Sequence, residues 1–296
     1  MLKMNIAGII LSIGHEDHIS SAEFVDKYFS PLFQNYIADM DCEPDFTVSF
    51  RRAKRYAGTW EKHVPYSNYL LKIKENITEL LFTFDDANEG LIAFKSMEIA
   101  SDWKSAVLTL HDYPDYEYLG LRACIRQYFE GAIIEKGAFV QHGPAIEHDG
   151  KGIIFTADSG VGKSTHADFW VKNFGSLMLN GDSPVIKFVD GKTLIHGSPW
   201  CGSSGVSVNK AVPLNAIVII KRGSENKIKQ LKGSSIPWDL LPQMRCPLWD
   251  QGRTELAIGY LEKIISDIPV FELECLPNAA SAEMSFNAIF GRQAPI

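Results

Sequence analysis

The run Gly152-Ile153-Ile154-Phe155-Thr156 leads straight into Ala157-Asp158-Ser159-Gly160-Val161-Gly162-Lys163-Ser164, and a helix-compatible stretch follows over 166–174. A short apolar strand, a glycine-containing loop and a helix, in that order, are the setting a phosphate-binding loop needs. The eight loop residues fit the pattern GxxxxGK[ST], with Ala157 where the first glycine usually stands. Gly160 and Gly162 let the backbone reach positive φ and aim successive N–H groups at phosphate oxygens, and the helix N-terminus adds positive partial charge. Lys163 carries a full charge to the β and γ phosphates. Ser164 offers a hydroxyl to a magnesium ion bridging them, and Thr165 supplies a neighbouring one. The whole loop from Ala157 through Asp158, Ser159, Gly160, Val161, Gly162, Lys163 and Ser164 to Thr165 is therefore the expected nucleotide contact. An ordinary glycine turn before a helix would account for the two glycines but not for Lys163-Ser164 beside them.

A magnesium-bound triphosphate also calls for a carboxylate at a nearby strand end, to hold the metal or to take a proton from an acceptor hydroxyl. Downstream of the loop helix, the apolar run 177–179 ends in Asn180-Gly181-Asp182, and 185–189 is the next strand-like run. Asp182 is the obvious candidate for both roles, and a turn aspartate between two strands is the plainer alternative. Upstream, Asp149-Gly150 separates the apolar stretches 138–147 and 152–156 and fits a type I′ hairpin turn. Leu121, Ile125, Tyr128, Phe129 and Ile133 share one helical stripe within 119–135, between the turn signal Tyr113-Pro114-Asp115 and Gly137.

The texture changes after that helix, so a domain boundary is expected near 136. Residues 137–296 are read as an α/β P-loop domain, with strands over 138–220 and helices near 236–266 and 279–290. Residues 1–136 are read as a smaller α+β domain, assigned to selection of the substrate or acceptor. Its strand-like runs are 4–13, 45–50, 80–84, 91–94 and 106–110. Between the first two, 20–37 repeats apolar residues at helical spacing, with Ser20 or Ser21 as cap, Glu23 in the first turn, and Pro31 expected to kink or divide the helix.

Of 296 residues, 46% are apolar, enough to fill one large or two medium cores, and the formal charge of −7 disfavours nucleic-acid or anionic-membrane partners. No apolar run approaches the length of a membrane-spanning helix, and Asn5 and Gly8 interrupt the N-terminal apolar stretch, which ends at Gly14, so neither a membrane span nor a signal peptide is expected. The five cysteines, Cys42, Cys124, Cys201, Cys246 and Cys275, are scattered without a CxxC pair, which fits reduced thiols in the cytoplasm.

The stretches Gln141-His142-Gly143, Gly152-Ile153-Ile154-Phe155, Asp158 to Ser164 and Leu179-Asn180-Gly181-Asp182 resemble the catalytic domain of HPr kinase/phosphorylase, a relative of phosphoenolpyruvate carboxykinase. Gly197-Ser198-Pro199-Trp200-Cys201-Gly202 resembles the diverged HPr-kinase-related proteins of bacterial peptide-biosynthesis clusters, some of which phosphorylate serine on a precursor peptide. The resemblance spans about 138–222. It implies that Lys163 and Ser164 bind ATP and Mg²⁺, that Asp182 is the metal-associated carboxylate or base, and that His142 lies beside it. Lys163 is also expected to steady charge on the transferred group. The implied activity is an ATP- and Mg²⁺-dependent transfer of phosphate to a hydroxyl, with serine of a peptide or small protein as the foremost acceptor and a small-molecule hydroxyl as another. The family commonly has two adjacent aspartates where this chain has Gly181-Asp182, and a glutamate often follows its P-loop serine where Thr165 stands here. A carboxykinase-like enzyme and a non-catalytic nucleotide-binding module are the competing classes.

Further candidates have plain alternatives. His196 precedes the Gly197-Ser198 turn and is either a substrate contact or a solvated loop residue. Lys221 and Arg222 end the apolar run 216–220, either as cations near a γ phosphate or as a charged strand end. Arg245 lies in, and Arg253 just beyond, a Pro- and Trp-containing region, 237–249, that reads as a lid or a packed loop. The cluster Arg51-Arg52-Ala53-Lys54-Arg55-Tyr56 reads as an anion contact or a solvated edge.

Overall fold

The computed structural model of the chain describes residues 1–14, 25, 29, 31–56, 64–66, 69–86, 90–113, 120–233 and 236–291. The chain divides into two units, Met1–Ala132 and Ile133–Ile296, and each combines a sheet with helices, so the class is mixed α/β.

In the first unit the expected strand over 4–13 is two strands, β1 (Leu2–Ile6) and β2 (Ile9–Ile13), paired antiparallel. Ala7 and Gly8 both take positive φ, 57° and 71°, the backbone a two-residue hairpin requires. The turn escapes a hydropathy reading because both strands bury most of their residues and Ala7 is apolar; its polar mark is Asn5, whose Oδ1 accepts the Gly8 N–H. The sheet continues through β3 (Phe46–Ala53), β4 (Val64–Tyr66), β5 (Tyr69–Ile73), β6 (Ile77–Asp86), β7 (Gly90–Ala100) and β8 (Ser105–His111). Their order is β1-β2-β3-β8-β7-β6-β5-β4, parallel at β2–β3 and β3–β8 and antiparallel elsewhere. Half of the helix expected over 20–37, including Ser20, Ser21 and Glu23, lies outside the described residues. Within its described end, Pro31–Tyr36 is a 3₁₀ helix that opens at Pro31, whose fixed φ suits a first turn better than a kink.

Helix α1 (Leu121–Ala132) closes this unit and gives way to a 3₁₀ turn, Ile133–Lys136, before Gly137 at φ 67°. Tyr128 donates to the Trp103 carbonyl at 2.7 Å, and the two rings stack with centroids 6.2 Å apart. Gly131 leaves room for that indole, since a Cβ there would stand 2.2 Å from it.

The second unit contains β9 (Ala138–Gln141), β10 (Ala145–His148), β11 (Lys151–Thr156), β12 (Leu177–Asn180), β13 (Val185–Val189), β14 (Lys192–His196), β15 (Ala211–Arg222), β16 (Lys227–Gln230), β17 (Met244–Arg245) and β18 (Val270–Cys275). Its helices are α2 (Lys163–Phe174), a single turn α3 (Ile236–Leu240), α4 (Gln251–Asp267) and α5 (Ala279–Phe290). The helical region expected near 236–266 holds two helices, separated by a 3₁₀ turn and β17, because Pro242 and Pro247 remove helix donors between them. β10 and β11 form the hairpin read from Asp149-Gly150, with φ of 49° and 73° at the turn.

β15 is the spine. It runs parallel to β11 along one edge; along the other, its first half pairs with β14 and its second half lies parallel to β18. Its alternating side chains feed two cores. Ala216, Val218 and Ile220 join Ile153, Phe155, Ala167, Trp170 and Phe286 under α2 and α5. Ile217 and Ile219 join Ile154, Ile186, Ile195 and the α4 residues Leu261 and Ile264 on the opposite face. Among the described residues, no helix is long and apolar enough to cross a membrane.

His166 sits between α2 and α5, its Nε2 3.1 Å from Ser285 Oγ and its Nδ1 3.3 Å from Ser281 Oγ. Burial pushes its pKa down to about 4. The unfolded chain therefore takes up a proton, from about pH 6.5 downwards, that the folded chain refuses, and stability present above that pH is lost as pH falls towards 4. Thermal melts at stepped pH should show Tm dropping over this window and a flatter slope for His166→Gln. An unchanged slope in the variant would exclude His166 as its source.

Candidate active site

Three segments meet at the carboxyl end of β11, and the first is the loop itself. Gly160 and Gly162 take φ of 76° and 117°, and a Cβ at either would touch nothing, so backbone conformation and not crowding calls for glycine. Gly162 caps α2, placing Lys163 in the first turn with Ser164 and Thr165 exposed next to it. Ala157 is buried, Asp158, Ser159 and Gly160 are exposed, and Val161 is half-buried. The Lys163 ammonium folds back over the loop and donates to the carbonyls of Ala157 at 2.9 Å and Asp158 at 3.1 Å. Burial pushes its pKa down, the carboxylates of Asp182 and Asp158 oppose this, and the Arg245 charge adds to the lowering.

The second segment is Gln141-His142-Gly143. Thr156, the last residue of β11, donates its hydroxyl to the His142 carbonyl at 3.1 Å, and the Gly143 N–H donates to the Asp182 carbonyl at 2.7 Å. Gly143 has φ 149°, and a Cβ there would lie 2.0 Å from the Phe155 carbonyl oxygen, so only glycine passes between β11 and the third segment. The His142 N–H donates to the Gln243 carbonyl, and the Gln243 side-chain amide donates to Asp158 Oδ1 at 3.0 Å, which ties 241–245 to the loop.

The third segment is 180–183. Asn180 is fully buried, and its Oδ1 accepts the N–H groups of Asp182 at 2.9 Å and Ser183 at 2.7 Å, while its amide donates to the Ser198 carbonyl at 2.8 Å. This turn presents the Asp182 carboxylate with one oxygen receiving the Ser183 hydroxyl at 2.6 Å and the other 3.5 Å from His142 Nδ1. Ser198, from the Gly197–Gly202 stretch, donates to the Ser183 carbonyl at 2.5 Å. The resemblance singled out Asp182, His142 and Lys163. Asn180, Ser183 and Gln243, which fix their positions, have no mark in sequence beyond the turn-forming Asn-Gly pair.

Among the described residues, no group of three or more His, Cys, Asp or Glu side chains is placed to hold a metal by itself. The donor set that fits magnesium is one hydroxyl, Ser164, and one carboxylate, Asp182, which suits an ion that keeps waters and takes its remaining oxygens from phosphates.

The other candidates divide. Lys221 pairs with Glu272 at 2.5 Å, and Arg222 donates to the Gly160 carbonyl at 2.6 Å, so Arg222 touches the loop and Lys221 is held on the sheet. Arg253 is buried and bridges Asp250 and Glu135, a structural staple at the start of α4. Strand register aligns Arg245, Val140, Val185 and His196 in one cross-strand row. The buried Nε2 of His196 and Nε of Arg245 have no hydrogen-bond partner among the described residues, and burial with the nearby Lys187 charge lowers the His196 pKa to about 4. In the basic cluster, Arg51 is paired with Glu98 at 2.9 Å and Arg55 lies over the Tyr113 ring. The five cysteines are free thiols.

No protein-family model matches the chain. No curated protein matches it. Among solved structures, the Hpr(Ser) kinase/phosphatase from Coxiella burnetii is similar at 11% identity over 31% of this chain and 72% of that one, with a TM-score of 0.24. So loose a superposition carries no argument about fold or chemistry.

Gly181 stands where a side chain has no room. A Cβ at 181 would lie 1.8 Å from Ser204 Oγ, 2.5 Å from Ser204 Cβ and 3.0 Å from the Cys201 carbonyl oxygen. Gly181→Ala is expected to cost about 1–3 kcal/mol by overpacking, read as a lower Tm. In a Ser204→Gly background the same substitution should cost less. Equal costs in both backgrounds would show that Ser204 is not the obstacle.

Proposed function

We propose that this chain is an ATP- and Mg²⁺-dependent phosphotransferase acting on a hydroxyl, with serine of a peptide or small protein as the acceptor class. The observation that carries the reading is the convergence on one loop. Asp182 stands 3.5 Å from His142, is tied through Gly143 to the end of β11, and is near enough to Lys163 to oppose the fall in its pKa. A triphosphate would be held by the loop N–H groups and by Lys163, released from the carbonyls of Ala157 and Asp158. Ser164 and Asp182 would hold magnesium, which supplies neutralisation of phosphate charge when bound.

In this reading Asp182 orients or deprotonates the acceptor hydroxyl, helped by the Ser183 hydroxyl on one oxygen and His142 beside the other. Lys163 stabilises charge on the transferred group, and transfer depends chiefly on position and electrostatics. The kinase named in the structural comparison acts in the same chemical class. The support rests on the residues above and not on that likeness.

Two substitutions test the reading. Mg-ATP at about a hundred times its Kd should stabilise the wild type by about 2.7 kcal/mol, seen as a rise in Tm, and Lys163→Ala should lose most of it. Equal shifts in both would remove the P-loop assignment. Asp182→Asn should lower phosphate transfer from radiolabelled ATP to candidate peptides by about 10²–10⁴-fold. ATP affinity should stay within a few-fold if Asp182 acts mainly as base, or weaken and recover with added magnesium if it acts mainly on the metal. Transfer at the wild-type rate would refute both roles. Nucleotide binding without transfer to any hydroxyl acceptor would favour a non-catalytic module.

A further inference from the structure

A pocket of about 360 Å³ opens in the first unit, where β3 and β8 end side by side. The two strands are parallel, with Arg52 opposite Leu110 and Ala53 opposite His111, so their carboxyl ends leave the sheet together. Arg52 and Lys54 reach the pocket from the β3 exit, and Leu110, His111, Asp112 and Tyr113 from the β8 exit. The His111 ring is buried, with Nδ1 3.0 Å from the Lys54 carbonyl oxygen and Nε2 3.1 Å from Ser96 Oγ, which ties both exits to the sheet. The rim is held as well. The Tyr113 N–H donates to the His111 carbonyl at 2.8 Å, the Arg55 guanidinium lies 4.6 Å over the Tyr113 ring, and the Tyr56 ring meets the His111 ring edge-on with centroids 5.4 Å apart. Burial pushes the His111 pKa down, against its bond to the Lys54 carbonyl, so the imidazole is neutral at pH 7 and the charge of the pocket comes from elsewhere.

Arg51 is no source of it, because its guanidinium is taken by Glu98 at 2.9 Å and by the Thr109 hydroxyl at 2.7 Å. Arg52, Lys54 and Arg55 are the source. All three are exposed, and the Lys54 ammonium forms no ion pair among the described residues. Asp112 is the one carboxylate among the lining residues, so three cations stand against one acid on a chain whose formal charge is −7. That contrast selects the ligand. Exposed charges are screened beyond a Debye length of about 8 Å at physiological salt, so a short anionic segment feels the patch alone. A long polyanion such as nucleic acid also meets the acidic remainder of the surface and is repelled by it. The Leu110 side chain and the Tyr113 ring add apolar surface of a kind that a bare phosphate cannot use. We infer that this pocket binds a short acidic peptide segment, with Arg52 and Lys54 pairing with its carboxylates and Leu110 and Tyr113 packing against its apolar parts. That the segment belongs to the acceptor rests on the phosphotransferase reading; the pocket itself does not.

Fluorescence anisotropy of the full chain tests the site, with a labelled peptide that carries a serine ahead of a block of glutamates and a counterpart with glutamines in their place. The glutamate peptide should bind about tenfold tighter or more, and its affinity should fall as salt rises. Lys54→Glu should weaken it by about tenfold or more and Arg52→Gln by less, whereas Asp112→Asn should tighten it by about a few-fold. Misfolding cannot mimic that gain. All three variants should keep the rise in Tm with Mg-ATP. Equal binding of the two peptides, no binding of the glutamate peptide, or unchanged binding in all three variants would overturn the inference. So would tighter binding of a single-stranded oligonucleotide than of the glutamate peptide. Transfer of labelled phosphate to the same peptide separates the site from the functional reading, since Lys54→Glu should raise KM and leave kcat as it is. Peptide binding without transfer by the wild type would uphold the pocket and remove the acceptor assignment. Transfer with KM unchanged in Lys54→Glu would uphold the enzyme and refute the pocket as the place where its acceptor is held.

Discussion

The geometry of the site depends on one close approach, the passage of Gly143 between the end of β11 and the 180–183 turn. Its N–H bonds the Asp182 carbonyl at 2.7 Å, and its α-carbon is so near the Phe155 carbonyl that a Cβ would stand 2.0 Å from that oxygen. Because His142 immediately precedes it, and the Thr156 hydroxyl holds the His142 carbonyl, the imidazole is delivered to the mouth of the loop by backbone alone. A side chain at 143 would separate β11 from the turn. His142, Asp182 and the loop would then lose the contacts that relate them, while each could keep its local conformation.

Around that junction, polar groups are arranged in a chain. Asn180 is buried with both sides of its amide used, which fixes the backbone on which Asp182 stands. Ser183 and Ser198 extend the chain into the Gly197–Gly202 stretch, and Gln243 joins it from the other side by bonding Asp158. Charge follows the same plan. Lys163 is buried among Asp182, Asp158 and Arg245, so one cation is favoured by two carboxylates and opposed by burial and a second cation. An arriving phosphate would meet an ammonium whose present partners are neutral carbonyls, which are weaker acceptors than a charged oxygen.

The sequence made some of this legible. The strand, loop and helix at 151–174 are local, since glycines and a lysine at fixed spacing report on their own backbone. The Asp149-Gly150 hairpin was readable for the same reason. What was hidden is non-local. The extra strand β18 is the parallel partner of β15 only because 45 or more intervening residues return it there, and its run Val270–Cys275 mixes apolar with acidic residues. Whether 237–249 is a lid or a packed loop is not legible in sequence, because the pairing of β17 with β9 is a contact about a hundred residues away. Position-fixing residues such as Asn180 and Gln243 are common residue types whose roles exist only once their partners are placed. The Ala7-Gly8 turn is hidden for a different reason, since hydropathy does not register a change of direction between two buried strands.

Gly181 is part of a packed unit. Gly202, at φ 61°, brings its α-carbon against Asp182, where a Cβ would stand 2.8 Å from the Asp182 Cβ, and Ser204 fills the space that a residue 181 side chain would need. Ser204 is itself held by its bond to the Cys201 carbonyl and by the Val206 N–H. The 201–205 turn thus covers the face of the Asp182 strand end, and both glycines are needed for it to lie so close. A side chain at 181 would require the turn to lift, which would also remove Gly202 from against Asp182.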